Sequence, residues 1–233
     1  MKNLKQIIKE EYQKILQEQV QSGFIKTLKI RRVHGGFHCQ HNNITSLKGA
    51  PSSVDRNFYC YNNNLTSLEG APSSVGGSFD CYSNNLTSLE GAPNSVGGGF
   101  DCNTNNLTSL EGAPSSIRGG FYCYTNNLTS LVGAPSSIRG GFYCYDNKLT
   151  SLKGCCLEVD GNFYCQYNNL TSLEDAPNSV GGWFCCGFND LTSLKGAPSS
   201  VGGDFDCQRQ KSGVKFTEKD VRKVSDVKGH III

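Results

Sequence analysis

A phenylalanine and a cysteine two residues apart recur every 21 residues without a slip, from Phe37-His38-Cys39 to Phe205-Asp206-Cys207. Three residues after the first eight cysteines stands an asparagine, from Asn42 to Asn189, and five after stands Ile44 or a leucine, from Leu65 to Leu191. Self-similarity at one fixed period of this length describes a solenoid, in which each coil buries its apolar side chains only against its neighbours.

One unit reads Phe-x-Cys-x-x-Asn-x-Leu-Thr-Ser-Leu-x-Gly-Ala-Pro-x-x-Val-x-Gly-x. Phe79-Asp80-Cys81 alternates in, out, in, which is a short strand with one buried face. Asn84 stands where the chain leaves the strand. A buried amide in every coil satisfies backbone groups at the bend, and stacked copies are expected to bond one another. Leu86, Leu89 and Val96 return to the core, and Gly91-Ala92-Pro93 turns the chain on the far side. The column of Gly98 is glycine in eight of nine coils, with Arg56 the exception. It calls for a positive φ or a close backbone approach. Twenty-one residues leave no room for a helix on the return side, so that side is expected to be extended. The fold class is a mainly β repeat solenoid. Its nine phenylalanine strands should form one parallel sheet about 38 Å long, at about 4.8 Å per spacing. The chain divides into an N-terminal segment, residues 1–32, a solenoid over residues 33–208 (eight full repeats and a ninth strand), and a C-terminal segment, residues 209–233.

The motif Phe79-x-Cys81-x-x-Asn84-x-Leu86-x-x-Leu89 resembles the leucine-rich repeat consensus, with Phe and Cys in leucine positions. The short coil is similar to the bacterial class found in type III-secreted effectors, and the Leu-Thr-Ser-Leu-Glu-Gly-Ala-Pro wording to bacteriophage-encoded repeat proteins. Two departures stand out. Val75 lies four residues before Phe79 where the consensus leucine lies three before, and the Leu-Pro of the effector return is replaced by Leu-Glu-Gly-Ala-Pro. No ubiquitin-ligase domain follows, so the resemblance implies macromolecular recognition and no catalysis. It also implies that outward strand residues line a concave sheet.

The charge is unevenly spread. Residues 1–36 carry 8 Lys/Arg against 3 acids, residues 37–206 carry 7 against 14, and residues 207–233 carry 7 against 3. An acidic repeat surface argues against nucleic acid lying along it. No apolar run is long enough for a membrane span. The nine ladder cysteines occupy one equivalent position, with neighbours about 4.8 Å apart across parallel strands, against about 3.8 Å between Cβ atoms in a disulfide. They read as reduced thiols used as small core side chains, and with no leader pattern at residue 1 the expected setting is a reducing cytoplasm, of a bacterium or a phage-infected cell. The six Asn-x-Thr sequons, at Asn43, Asn64, Asn85, Asn106, Asn127 and Asn169, fall out of the repeat and are read as unused.

The candidate site follows from the outward positions. Tyr59, Asp80, Asp101, Tyr122, Tyr143 and Tyr164 stand between the phenylalanine and cysteine columns, and Tyr61, Tyr82, Tyr124 and Tyr145 stand just after the cysteines. Trp183, Tyr167 and Phe188 flank them. Nine of the ten tyrosines and the sole tryptophan fall in these columns. Tyr122, Tyr124, Tyr143, Tyr145 and Tyr164 are expected to form one contiguous patch. Tyrosine supplies large amphipathic contact area at low entropic cost. The competing reading is that Tyr and Asp simply suit exposed strand positions. Asp80, Asp101, Asp204 and Asp206 favour a basic or neutral polar partner. A protein partner follows from the resemblance, and a glycan suits stacked rings beside Asp and Asn.

Other signals are weaker. His34, His38 and His41 cluster near Cys39, but Cys39 faces the core, so no metal site is expected. Cys155-Cys156, in place of Ala-Pro, and Cys185, in place of an outward tyrosine, are the candidate accessible thiols. No catalytic constellation or cofactor motif stands out. Leu4, Ile7, Ile8, Tyr12, Ile15, Leu16 and Val20 recur at steps of three and four, an amphipathic helix over about residues 3–20 that either lids the first coil or docks elsewhere. Phe24, Leu28 and Ile30 read as an atypical first strand. Thr217-Glu218-Lys219-Asp220 predicts a helix start at about residue 217, and Ile231-Ile232-Ile233 a final strand covering the last coil. The functional expectation is non-enzymatic binding of a macromolecule, with a structural or virion-associated assembly role, through the terminal helix or the solenoid ends, as the alternative.

Overall fold

A computed structural model describes residues 31–233 together with the backbone of Val20–Gln21 and Phe24–Ile25. It is a parallel β-solenoid with two ten-stranded sheets. One holds the nine Phe-x strands, from Phe37–His38 to Phe205–Asp206, and ends on Ile231–Ile232. The other runs from Arg32–Val33 through the Ser-Val and Ser-Ile dipeptides to Asp226–Val227. The return side is therefore more than extended, because Ser74–Val75 and its equivalents pair into a sheet of their own. A β-branched residue pointing in and a serine pointing out meet the period-two requirement of a strand.

Register follows the repeat. Phe100 lies beside Phe79 and Phe121, and Val75 beside Val54 and Val96. Only the last turn is longer. Phe205 pairs with Ile231 and Ser200 with Asp226, a step of 26 residues instead of 21. The excess matches the five-residue helix Glu218–Arg222, which Thr217 opens with a capping box. Residues 209–233 thus add a helix and one more rung to both sheets. At the other end Val20–Gln21 and Phe24–Ile25 pair antiparallel. Phe24 is in a strand as expected, whereas Val20, at the end of the expected helix, is also in a strand. The rest of that helix, with Leu28 and Ile30, lies outside the described residues.

The core is five columns deep. Phenylalanine, cysteine, both leucines and the β-branched residue are almost wholly buried in each coil. Successive phenylalanine rings run the length of the axis with centroids 5.0 to 5.8 Å apart. All twelve cysteines are free thiols, and the nine ladder thiols are inside, where burial pushes their titration far upward.

The asparagines do not bond one another; from Asn63 to Asn189 each bonds backbone in two coils. Asn105 Nδ2 donates to the carbonyls of Cys102 and Asn103 in its own coil and Cys81 in the preceding one, at 3.1, 3.1 and 3.2 Å. Its Oδ1 accepts the amide of Leu86, 3.0 Å away. Where the ninth asparagine would stand, Gln210 makes the same set, to Cys186 and Cys207 carbonyls and the Leu191 amide.

Two backbone positions are left-handed. The turn glycine is left-handed in seven coils, six of them Gly-Ala-Pro and one Gly154-Cys155-Cys156, with φ from 85° to 98°, and Asp175 takes its place at φ 66°. The residue two after each ladder cysteine, from His41 to Arg209, is also left-handed (φ 51–57°) and never glycine. The Gly98 column has no positive φ. Its requirement is close approach, since a Cβ on Gly98 would lie 2.8 Å from the backbone of Gly77 and Ser78.

Asn105→Ala should lower stability by about 2–4 kcal/mol, because it strands buried carbonyls and an amide in two coils. Urea unfolding followed by far-UV circular dichroism reads this; a loss under about 0.5 kcal/mol contradicts the role given to the amide. Asp175→Gly should instead stabilise by about 0.5–1 kcal/mol, by relieving left-handed strain.

Candidate binding surface

The outward residues of the phenylalanine sheet carry the candidate site. Tyr122 stacks on Tyr143 at 4.7 Å and 3°, and Tyr143 meets Tyr164 edge-on at 5.3 Å. Tyr124 stacks on Tyr145 at 4.5 Å and 7°. The five rings expected to form one patch are thus arranged as two files along the axis, each ring against its equivalent in the next coil, as in-register parallel pairing dictates. A second group lies toward the N-terminal end. Tyr61 stacks on Tyr82 at 4.4 Å, Tyr59 tilts against Tyr61, and His38 and His41 meet Tyr59 and Tyr61 edge-on. A third lies at the other end, where Tyr167 stacks on Phe188 at 4.3 Å and Arg209 lies over the Phe188 ring. Trp183 is exposed and rests against Gly203.

The column two residues before the outward tyrosines, from which the sequence yields Trp183 and Asp204, also sets the posture of the rings. A Cβ on Gly120 would fall 2.7 Å from Tyr122 Oη, and one on Gly141 2.6 Å from Tyr143 Oη. These glycines let the rings lie down across the sheet. Where Asn57 and Asn162 replace them, the amide Nδ2 donates to the hydroxyls of Tyr59 and Tyr164. The tyrosines of both files are half-buried, and those of the Tyr122–Tyr143–Tyr164 file are held from beneath. A glycine two residues before an outward tyrosine was the available signal.

Asp80 and Asp101 stand side by side, in register between Tyr59 and Tyr122. Burial pushes both carboxyls up to about 6, and for Asp80 the charge of Asp101 adds to it. Asn103 partly offsets this for Asp101, donating its backbone amide and its Nδ2 to Oδ1 at 3.1 and 2.6 Å. Desolvation raises the hydroxyls of Tyr82, Tyr122, Tyr124 and Tyr145, Tyr82 and Tyr124 to about 12, and the Asp101 carboxylate adds to it for each. The sequence reading recorded these aspartates singly and found no paired acid; equal strand register makes them a pair.

Of the three candidate open thiols, only Cys155 is partly exposed. Cys156 and Cys185 are buried and Cys155 is half-buried. Cys185 is pushed up to about 12 by burial, with Asp206 and Asp204 adding to it. Burial raises Cys155, whose bond to Cys156 lowers the latter. The short Cys185 side chain lies low among larger neighbours, so an outward position does not expose it. The three histidines do not converge, since His34 bonds Asp55 at 2.8 Å while His38 and His41 face tyrosines. Among the described residues no group of three or more His, Cys, Asp or Glu is placed to hold a metal ion, and no helix is long and apolar enough to cross a membrane.

The second sheet has relief of its own. A groove of about 620 Å³ runs over Ser53, Ser74, Ser95 and Ser116, with Arg32 and Arg118 at its ends. The sequence reading treated this side only as a return path.

Asp80→Asn and Asp101→Asn should each raise the melting temperature at pH 7.5, by on the order of 3 °C. A carboxyl that binds its proton more tightly folded than unfolded favours folding as pH falls from about 6 toward about 4. The asparagine variants should flatten that part of the stability profile. A melting temperature unchanged at pH 7.5 and an unchanged profile contradict the assignment. Asp220, held at about 2 by Thr217 and Lys223, works in the opposite direction and only at lower pH.

No family model matches this chain, and no curated protein matches it. Its classification rests on its geometry, a parallel β-solenoid with turns of 21 residues.

Proposed function

We propose that this chain is a non-enzymatic recognition module of the leucine-rich repeat kind, holding a protein partner on the tyrosine-bearing face of the phenylalanine sheet. The observation that carries the reading is the in-register stacking of Tyr122 on Tyr143 and Tyr124 on Tyr145, with glycines beneath the first file. Rings already held in place lose little freedom on binding, and such preorganisation turns contact area into affinity. Tyrosine is also the residue type that most often anchors interfaces. The twelve free thiols fit a reducing compartment, such as the cytoplasm of a bacterium or a phage-infected cell.

A second reading, a structural or virion-associated assembly component, draws support from the C-terminal end. Asp226–Val227 and Ile231–Ile232 are the last strands of their sheets, and Ile233 beside them is exposed. A parallel edge strand is a template for another copy.

Replacing Tyr122, Tyr143 and Tyr145 together by alanine should abolish capture of the partner from a host lysate, while the far-UV spectrum stays that of the parent. Equal capture by parent and variant would sink the recognition reading. Light scattering on a variant lacking residues 231–233 tests the second; loss of a large species with the fold intact would favour assembly.

A further inference from the structure

Between the two tyrosine groups the phenylalanine sheet has a notch. In the column after the cysteines the order is Tyr61, Tyr82, Asn103, Tyr124, Tyr145, and the ring stacks stop at Tyr82 and resume at Tyr124. Asn103 between them is buried and turned onto Asp101. In the adjoining column Asp80 and Asp101 interrupt the tyrosines between Tyr59 and Tyr122. The notch is thus floored by two carboxylates and an amide and walled by Tyr82 on one side and Tyr124 on the other. The strands that carry the two walls lie two spacings of about 4.8 Å apart, which leaves room for one cation between them, and an aromatic face attracts a cation within about 6 Å.

We infer that an extended protein segment docks on this face with a lysine or arginine side chain in the notch, its cation over Asp80 and Asp101 and between Tyr82 and Tyr124. The inference rests on the recognition reading above and names the chemistry of the partner. Charge complementarity selects it. The four outward columns, from Gly36, His38, Gln40 and His41 to Asp204, Asp206, Gln208 and Arg209, hold five aspartates and one arginine, and that arginine lies at the far end over Phe188. No salt bridge reaches Asp80 or Asp101 from any described residue. The groups facing the pair are Tyr59, Tyr61, Tyr82, Asn103, Tyr122, Tyr124 and Tyr145, none of them a cation. Two desolvated like charges without a counter-ion are costly, and a guanidinium or ammonium relieves that cost. A side chain on a protein segment, unlike a free amine, also places backbone and neighbouring residues on the Tyr122–Tyr143–Tyr164 file.

The test is fluorescence anisotropy of a labelled nona-arginine peptide against the full chain at pH 7.5 and near-physiological salt. Asp80→Asn/Asp101→Asn should weaken binding about tenfold or more. Glu90→Gln/Glu111→Gln removes equal charge from exposed turn positions and should change it less than about twofold. Tyr82→Ala/Tyr124→Ala should weaken it by about fivefold. With the parent chain, binding should also weaken from pH 7.5 to 5.0, a readout that needs no variant to fold. Equal loss in the two charge variants, no effect of Tyr82→Ala/Tyr124→Ala, or absence of binding overturns the notch. Displacement of the peptide by spermine at matched charge overturns the protein segment in favour of a free polyamine. Should the Tyr122/Tyr143/Tyr145 variant still capture its partner while the notch variants lose the peptide, the broader recognition reading fails and the notch stands.

Discussion

An amide side chain shared between two coils holds this molecule in register. Each stands where the chain leaves a strand and supplies donors and an acceptor to the backbone there. Because it reaches carbonyls of two successive coils, it specifies the distance between them as well as the bend within one. Buried backbone groups tolerate no vacancy. The apolar columns then follow, for a coil seated by its amide puts each phenylalanine over the last phenylalanine and each thiol over the last thiol.

That register also creates the surface. In a parallel stack with no slip, whatever residue occupies an outward position meets its equivalent in the next coil. Tyrosines at equal positions become stacked files, and aspartates at equal positions become a repelling pair. The repeat keeps its inward columns nearly constant and lets its outward columns vary, so surface chemistry is written coil by coil on a fixed frame. The strain sits on the same frame. The left-handed residue after each strand is His, Asn, Ser, Thr, Asp, Tyr, Phe or Arg and never glycine. Tyr167 and Phe188 are bulky members of that series that stack on each other, so at these two positions backbone strain and exposed aromatic area coincide.

The inward half of the structure was legible because periodicity states it directly. Phe79, Cys81, Leu86, Leu89 and Val96 repeat at fixed offsets, and only burial explains an apolar column kept in every coil. The second sheet was not legible as a sheet, since a Ser-Val dipeptide is too short to show alternation and becomes a strand only when a neighbour supplies its partner. Gln210 falls in the C-terminal segment by the repeat pattern, although its amide chemistry is that of the asparagines before it. Cys185 was placed outward correctly by parity, but parity says nothing about the height of the neighbouring side chains.

What the sequence determined alone was therefore everything that depends on one coil being the copy of the next: the solenoid, the column order, the reduced thiols inside and the tyrosines outside. Tertiary structure decided what depends on distances between coils. It made Asp80 and Asp101 a pair, split five rings into two files and laid tyrosines flat over Gly120 and Gly141. The physical reason is that side-chain contacts across coils join residues 21 positions apart, and their geometry is set by strand spacing and the space under each ring, quantities that no single repeat contains.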